Sequence, residues 1–419
     1  MSTPSAIRIT DLADPTYTPA QLAVRAATTK ISVDLSEAAV LDAATAKTGL
    51  TDFGPDDFRE RLGVWLQSIA EDATLTAGAR LGLFGELVGY AAQRLRLEDL
   101  LRRHPEILDV EIRRPIIIAG LPRSGTTHLL NLISADARLR SLPYWESREP
   151  IPDPREAPRA DGLDPRWVRC RDTWTLQDEL LPYLKSMHPM DPDHVHEEIE
   201  LQGLDFASYE LEWKATVPRW RDYYLGHDQT AHYAYLKKVL QALQWLRGPD
   251  RWILKSPQHM EQLVSLVTTF PDATVVLTHR DPVSVITSAI TMMAYGDRMR
   301  RLQVDLGAVA AYWTDRIERL LRRCVRDRER VPASQSLDVS FHEFMADDVA
   351  TVERIYALAD LEMTAEARAA LDAFMVAHPR GKHGRVAYDL RGDFGIDPDA
   401  LRARFAFYLE RFAVRPEPS

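Results

Sequence analysis

Pro115-Ile116-Ile117-Ile118-Ala119-Gly120-Leu121-Pro122-Arg123-Ser124-Gly125-Thr126-Thr127 is the stretch on which the fold turns. Its first six residues form a short apolar run of the kind buried in a parallel sheet. The turn after them leads into an apolar helical stretch, Leu129 to Ile133. Two similar units lie downstream. Trp252 to Lys255 precedes a helix near Met260 to Phe270, and Ala273 to Thr278 precedes a helix from about Val283. Strand–helix alternation of this sort predicts an α/β fold, a parallel sheet flanked by helices.

Upstream of Pro115 the pattern is helical. Phe58, Leu62, Trp65 and Leu66 share one helix face, as do Leu81, Phe84, Val88, Ala91 and Leu95. Thr76 stands where it would cap the second of these helices. Residues 1–104 are therefore read as a helical N-terminal region and 105–419 as the sheet domain. Five prolines between Pro150 and Pro165 mark a loop. Residues 166–248 read as a helical insertion rich in Trp and Tyr, and the tail after Phe344 as helical, broken by a basic loop at 379–385.

The bulk properties narrow the function. The 419 residues are 45% hydrophobic and 27% charged, as in a soluble globular protein. Two cysteines, Cys170 and Cys324, make neither a disulfide framework nor a metal-binding set. No apolar run approaches the ~20 residues of a membrane span, and Met1 to Pro15 lacks the pattern of a secretory signal. The expected compartment is the cytoplasm. A net charge of −10 argues against a general nucleic-acid partner. An anionic ligand would need a local cluster of cations and backbone amides.

Gly120 to Thr127 has the G-x-x-x-x-G spacing of a phosphate-binding loop between strand and helix. Backbone amides in such a turn cradle an anion at a helix N-terminus. An ATP-using P-loop carries Lys and then Ser or Thr after the second Gly. Here Thr126 stands at the Lys position, and the nearest cation is Arg123, inside the loop. A triphosphate would lose its main charge partner, so a smaller 5'-phosphate-type group fits better.

The loop resembles the 5'-phosphosulfate loop of sulfotransferases that use 3'-phosphoadenosine-5'-phosphosulfate (PAPS), whose form in many members is P-[KR]-S-G-T-[TS]. Those enzymes also carry an Arg at a strand end and a Ser eight residues later, which bind the donor's 3'-phosphate. Arg280 and Ser288 have that spacing. Pro379-Arg380-Gly381-Lys382-His383-Gly384-Arg385 is similar to the basic loop that closes over the 3'-phosphate. The resemblance implies a P-loop-type sheet and a sulfuryl transfer from PAPS, without a metal, to a hydroxyl of a small-molecule or lipid-like acceptor. It places the donor on Arg123, Ser124, Gly125, Thr126, Thr127, Arg280, Ser288, Arg380, Gly381, Lys382 and His383.

The implied catalytic set is Arg123, Glu146, Lys255 and Ser288. Lys255 is similar to the Lys-x-Pro lysine of tyrosylprotein-type sulfotransferases, which assists the bridging oxygen. Glu146 follows the phosphate-loop helix by about the interval that places a catalytic Glu in those enzymes. The rival base region is His194-Val195-His196-Glu197-Glu198. The aromatic stretch 166–248 is the candidate acceptor pocket, which favours an apolar or aromatic alcohol. Two other readings remain at this point: a small-molecule kinase using ATP and magnesium, and a nucleotide-binding protein without catalysis.

Overall fold

The computed structural model describes residues 6–379, 382 and 384–418. The chain begins with helices α1 (Pro19–Thr28), α2 (Glu37–Thr48), α3 (Phe58–Glu71) and α4 (Ala77–Arg103). Thr18, Ser36 and Thr76 each accept a hydrogen bond from the amide three residues on, at the starts of α1, α2 and α4. Each such cap stabilises its helix by about 1 kcal/mol. Phe58, Leu62, Trp65 and Leu66 are buried on one face of α3, as their spacing predicts. On α4 the apolar stripe starts later than expected, because Leu81 lies on the surface.

Next come β1 (Ile116–Gly120), α5 (Thr126–Ser134), β2 (Leu139–Arg140) and α6 (Tyr144–Arg148). The Pro-rich loop leads to the mainly helical insertion: α7 (Pro165–Leu180), α8 (Leu184–Met187), α9 (Ile199–Gln202), α10 (Pro218–Gly226) and α11 (Thr230–Leu246). The chain then returns to the sheet with β3 (Arg251–Lys255), α12 (Leu263–Thr269), β4 (Thr274–His279), α13 (Pro282–Arg300), α14 (Leu306–Asp327) and β5 (Ser336–Ser340). Shorter helices complete the C-terminal part.

The five strands are all parallel, in the order β2-β3-β1-β4-β5. Three of them match the sequence reading to within a residue or two. The other two are edge strands. β2 has only two residues, and β5 reads Ser-Leu-Asp-Val-Ser, too polar to show as a buried run.

β1 lies at the centre and is buried throughout. Its side chains alternate, as a strand requires. Ile117 and Ala119 join a core that also holds Leu62 and Trp65 of α3, Leu95 of α4 and Leu254 of β3. Ile116 and Ile118 face the opposite layer, with Leu129 and Ile133 of α5. One continuous core thus runs across residue 104. Ile118 pairs with Lys255 of β3, and Gly120 with Thr278 of β4. The carboxyl ends of β1, β3 and β4 therefore open on one crevice, where open α/β sheets bind ligands. Among the described residues, no helix is long and apolar enough to cross a membrane.

Candidate active site

Close packing dictates Gly120. A Cβ there would stand 1.9 Å from Thr278 Oγ1 and 2.6 Å from Thr126 Cγ2. Further round the turn, Arg123 (φ 68°) and Gly125 (φ 84°) take left-handed backbone conformations. For Arg123 that conformation is costly, by about 1 kcal/mol or more. Ser124 Oγ bonds to Leu121 O (2.5 Å) and to Thr278 Oγ1 (2.9 Å), which ties the loop to β4. Helix α5 then starts without a side-chain cap. Its first-turn amides are thus open to an anion.

The cations gather around this turn. Arg123 Nε donates to Ser288 Oγ at 3.0 Å, and its Nη1 donates to Met187 O. Arg280 Nη1 donates to the Arg123 carbonyl at 2.5 Å. The guanidinium of Arg280 lies 4.0 Å from the Phe341 ring centroid. Its other two donors form a fork on Glu417, each at 2.7 Å. Lys255 is 2% exposed, and its Nζ reaches Thr127 Oγ1 at 3.5 Å. Arg123, Ser288, Arg280 and Lys255 are thus brought together with the loop. Lys382 is exposed, its amide donating to Pro379 O at 3.2 Å. Arg380, Gly381 and His383 lie outside the described residues.

The base candidates separate clearly. Glu146 is 3% exposed and bonded to two guanidiniums, from Arg140 (2.7 Å) and Arg247 (3.0 Å). Unlike Arg123 and Lys255, it does not line the cavity described next, and its carboxylate is taken up by the two arginines. Nearby sequence could not show this, because Arg247 comes from the end of α11, about 100 residues away. Glu197 is placed differently. It pairs with Lys255 Nζ and faces the cavity. Burial raises its carboxyl above the ordinary range, although Lys255 opposes the rise. Glu198 is a structural neighbour, accepting from the Lys255 amide at 2.8 Å and pairing with His259.

His194 and His196 flank Val195, which bridges to Pro143. Their ring centroids are 6.2 Å apart, and His188 lies 6.4 Å from His194. Burial, then the other cations nearby, lower His188 to about 3 and His194 to about 4. His196 is lowered as well, first by burial. All three imidazoles are neutral and weakly basic near neutral pH.

A cavity of about 760 Å³ opens beside the loop, lined by Arg123, Thr127, Lys255, Glu197 and His196 among others. Of the aromatic residues expected around an acceptor, Trp174 and Trp213 line it. Trp220, Tyr224, Tyr233 and Tyr235 are core residues instead. Helix α4 supplies a wall of the cavity, from Ala79 to Arg96. Sequence reading gave that region no role. The available signal was three glycines, Gly82, Gly85 and Gly89, inside a helical pattern.

The sulfotransferase family profile matches residues 115–365. Omega-hydroxy-beta-dihydromenaquinone-9 sulfotransferase Stf3 of Mycobacterium bovis, and that of Mycobacterium tuberculosis, is 26% identical over 266 residues, 58% of this chain. The match spans 61% of those relatives' own length. The crystal structure of sulfotransferase STF9 from Mycobacterium avium superposes with a TM-score of 0.82 at 27% identity, covering 93% of this chain and all of that one. Sulfotransferase STF1 from Mycobacterium tuberculosis H37Rv gives a TM-score of 0.75 at 28% identity, covering 89% and 98%.

Proposed function

The chain belongs to the sulfotransferase family, and we propose that it transfers a sulfuryl group from PAPS to a hydroxyl of a small-molecule or lipid-like acceptor. The observation that carries this reading is the convergence of Arg123, Ser288, Arg280 and Lys255 on a phosphate loop without the ATP-site lysine. The Stf3 relatives, named for omega-hydroxy-beta-dihydromenaquinone-9, are a lipid precedent for the acceptor.

In this reading the loop amides and Arg123 hold the 5'-phosphosulfate, while Arg280 and Ser288 hold the 3'-phosphate. The acceptor oxygen attacks sulfur as the bond from sulfur to the bridging oxygen breaks. The electron pair of that bond leaves on the phosphate of PAP (adenosine 3',5'-bisphosphate). Lys255 donates to the oxygen that gains charge, and Glu197 takes the acceptor proton. Both act by position and electrostatics in a partly dehydrated site. The reading assigns no step to a metal. The cytoplasm is the proposed compartment, in keeping with two cysteines, Cys170 and Cys324, that are both free thiols.

Titration calorimetry of PAP and of ATP, each with and without magnesium, tests the donor assignment. Tight PAP binding that ignores magnesium is expected. Magnesium-dependent ATP binding without a PAP signal would replace this reading with a kinase.

A further inference from the structure

The cavity runs along one face of α4. Ala79, Gly82, Glu86, Gly89, Gln93 and Arg96 line it, and spacings of three and four make them a single helical stripe. At 1.5 Å per residue the stripe is about 25 Å long. Gly85 lies beside it and also lines the cavity. Interior glycines weaken a helix relative to alanine. No backbone reason for them exists here, because none of the three has positive φ. No packing reason exists either, since a Cβ at Gly82, Gly85 or Gly89 meets no atom within 4 Å. Gly203 is the contrast, where a Cβ would stand 2.4 Å from the Tyr90 ring. The room left by the α4 glycines belongs to the cavity.

The polar groups on the same wall are a separate observation. Glu86 Oε1 accepts from Arg148 (2.8 Å) and from Lys214. Arg148 also donates to Glu200 Oε2 at 2.8 Å, as does the Tyr90 hydroxyl at 2.7 Å, and Lys214 pairs with Glu210 at 2.8 Å. Burial alone would raise Glu200, but Arg148 and Lys214 outweigh it and hold the carboxyl at about 2. Burial pushes Glu210 up to about 8. The cluster thus sets two cations, Arg148 and Lys214, among three carboxyls, Glu86, Glu200 and Glu210. Gln93 is 2% exposed. Its Oε1 accepts from the Ile151 amide at 2.9 Å, and its Nε2 has no partner among the described residues.

This chemistry selects a ligand class. A hydrocarbon on the wall would strip water from five ionisable groups and an amide while returning no hydrogen bond. A cation or an anion meets groups of both signs on this wall that are already paired with one another. A ring with several hydroxyls offers donors to the carboxylates and acceptors to Arg148, Lys214 and Gln93. It also presents a face that lies against a surface without side chains. We infer that the acceptor is polyhydroxylated, of glycosyl type, with its ring on the Gly82–Gly85–Gly89 face of α4 and its hydroxyls bonded to Glu86, Glu200 and Gln93. The inference rests on the sulfuryl-transfer reading and names the acceptor class of that site.

The test pairs acceptors that share one alkyl chain. Full-length protein is incubated with labelled PAPS and dodecyl glucoside, dodecyl maltoside or dodecanol, and PAP binding is measured in parallel. The glycosides should show kcat/KM at least about 100-fold above dodecanol, as for a site built to bond hydroxyls. Equal or better use of dodecanol, or no transfer to either glycoside while PAP binds, overturns the inference and leaves the donor assignment standing. Absence of PAP binding overturns both. The triple variant G82A/G85A/G89A should raise Tm by about 2–5 °C and leave PAP affinity unchanged. Its kcat/KM for the glycoside should fall at least about tenfold, and a variant that is stabilised yet sulfates the glycoside at the original rate also overturns the inference.

Discussion

Arg280 presents two of its guanidinium donors, each at 2.7 Å, to the carboxylate of Glu417 near the C-terminus. The tail is held there by further bonds. The Glu417 amide donates to Asp281 at 2.8 Å, and Arg402 donates to the Glu417 carbonyl at 3.1 Å. A planar fork that fits a carboxylate fits phosphate oxygens too. In the proposed reading, the 3'-phosphate and Glu417 compete for the same donors.

Replacing Arg280 by Ala should therefore weaken PAP binding by about 30- to 5000-fold, the range for truncating a hydrogen-bonded charge partner. Replacing Glu417 by Gln should strengthen it, by about three- to tenfold, because a neutral amide is the weaker competitor. Calorimetry reads both effects. Unchanged affinity in the Arg280 variant would remove that residue from the donor site.

Glu197→Gln should lower turnover by about 10²- to 10⁴-fold, the usual contribution of a general base, with PAP affinity retained. Since the Glu197 carboxyl is raised, first by burial, it is protonated at higher pH than an ordinary carboxyl. The rate should accordingly fall as pH drops through that raised value, and the variant should lose this acid limb. Glu146→Gln should keep near-normal turnover and cost about 1–3 kcal/mol of stability, by weakening a buried pair with Arg140 and Arg247. A Glu146 variant that folds normally and is inactive would return the base to that position.

The three neutral imidazoles predict acid sensitivity. An unfolded His takes its proton near pH 6.5, whereas His188 and His194 wait until about 3 and 4. Their folded values are depressed. The stability they contribute is fully present above about 6.5 and is lost as pH falls towards 4 and then 3. Tm measured from pH 7 to pH 4 should decline, and the decline should be shallower in the double variant H188Q/H194Q. Parallel curves would show that other groups control the acid transition.

Arg316 is completely buried between Glu212 and Glu261, with bonds of 2.5 to 2.9 Å. It anchors the turn Pro257–Glu261 that follows Lys255. Arg316→Leu leaves two buried carboxylates without a cation and should destabilise by about 3–5 kcal/mol. Denaturant unfolding measures this, and a loss below about 1 kcal/mol would mean that the carboxylates find protons or water.

What could be read from the chain was whatever the backbone imposes locally. Gly120 and Gly125 mark a turn that few other residues can make, and β1 is apolar because both its faces are covered. Arg280 and Ser288 sit on one strand–helix junction, so their spacing survives in the linear sequence. Glu146 shows the limit. Its interval from the loop was visible, while the two arginines that bind it were not. Glu417 meets Arg280 across 137 residues, a pairing that no local pattern encodes. The edge strands escaped notice for a different reason, since a strand with one neighbour does not need a continuous apolar run.

The cavity wall on α4 lies wholly outside residues 115–365, the part of the chain that the family profile matches. The Gly120–Thr127 loop and one wall of the cavity are thus encoded by separate stretches of sequence, while Arg148, Glu200 and Lys214 on the same cavity lie within the matched part. Changes confined to the first hundred residues can therefore reshape one wall of the cavity while leaving the loop untouched. Exchanging N-terminal segments between relatives then measures how much of the substrate choice that one wall carries.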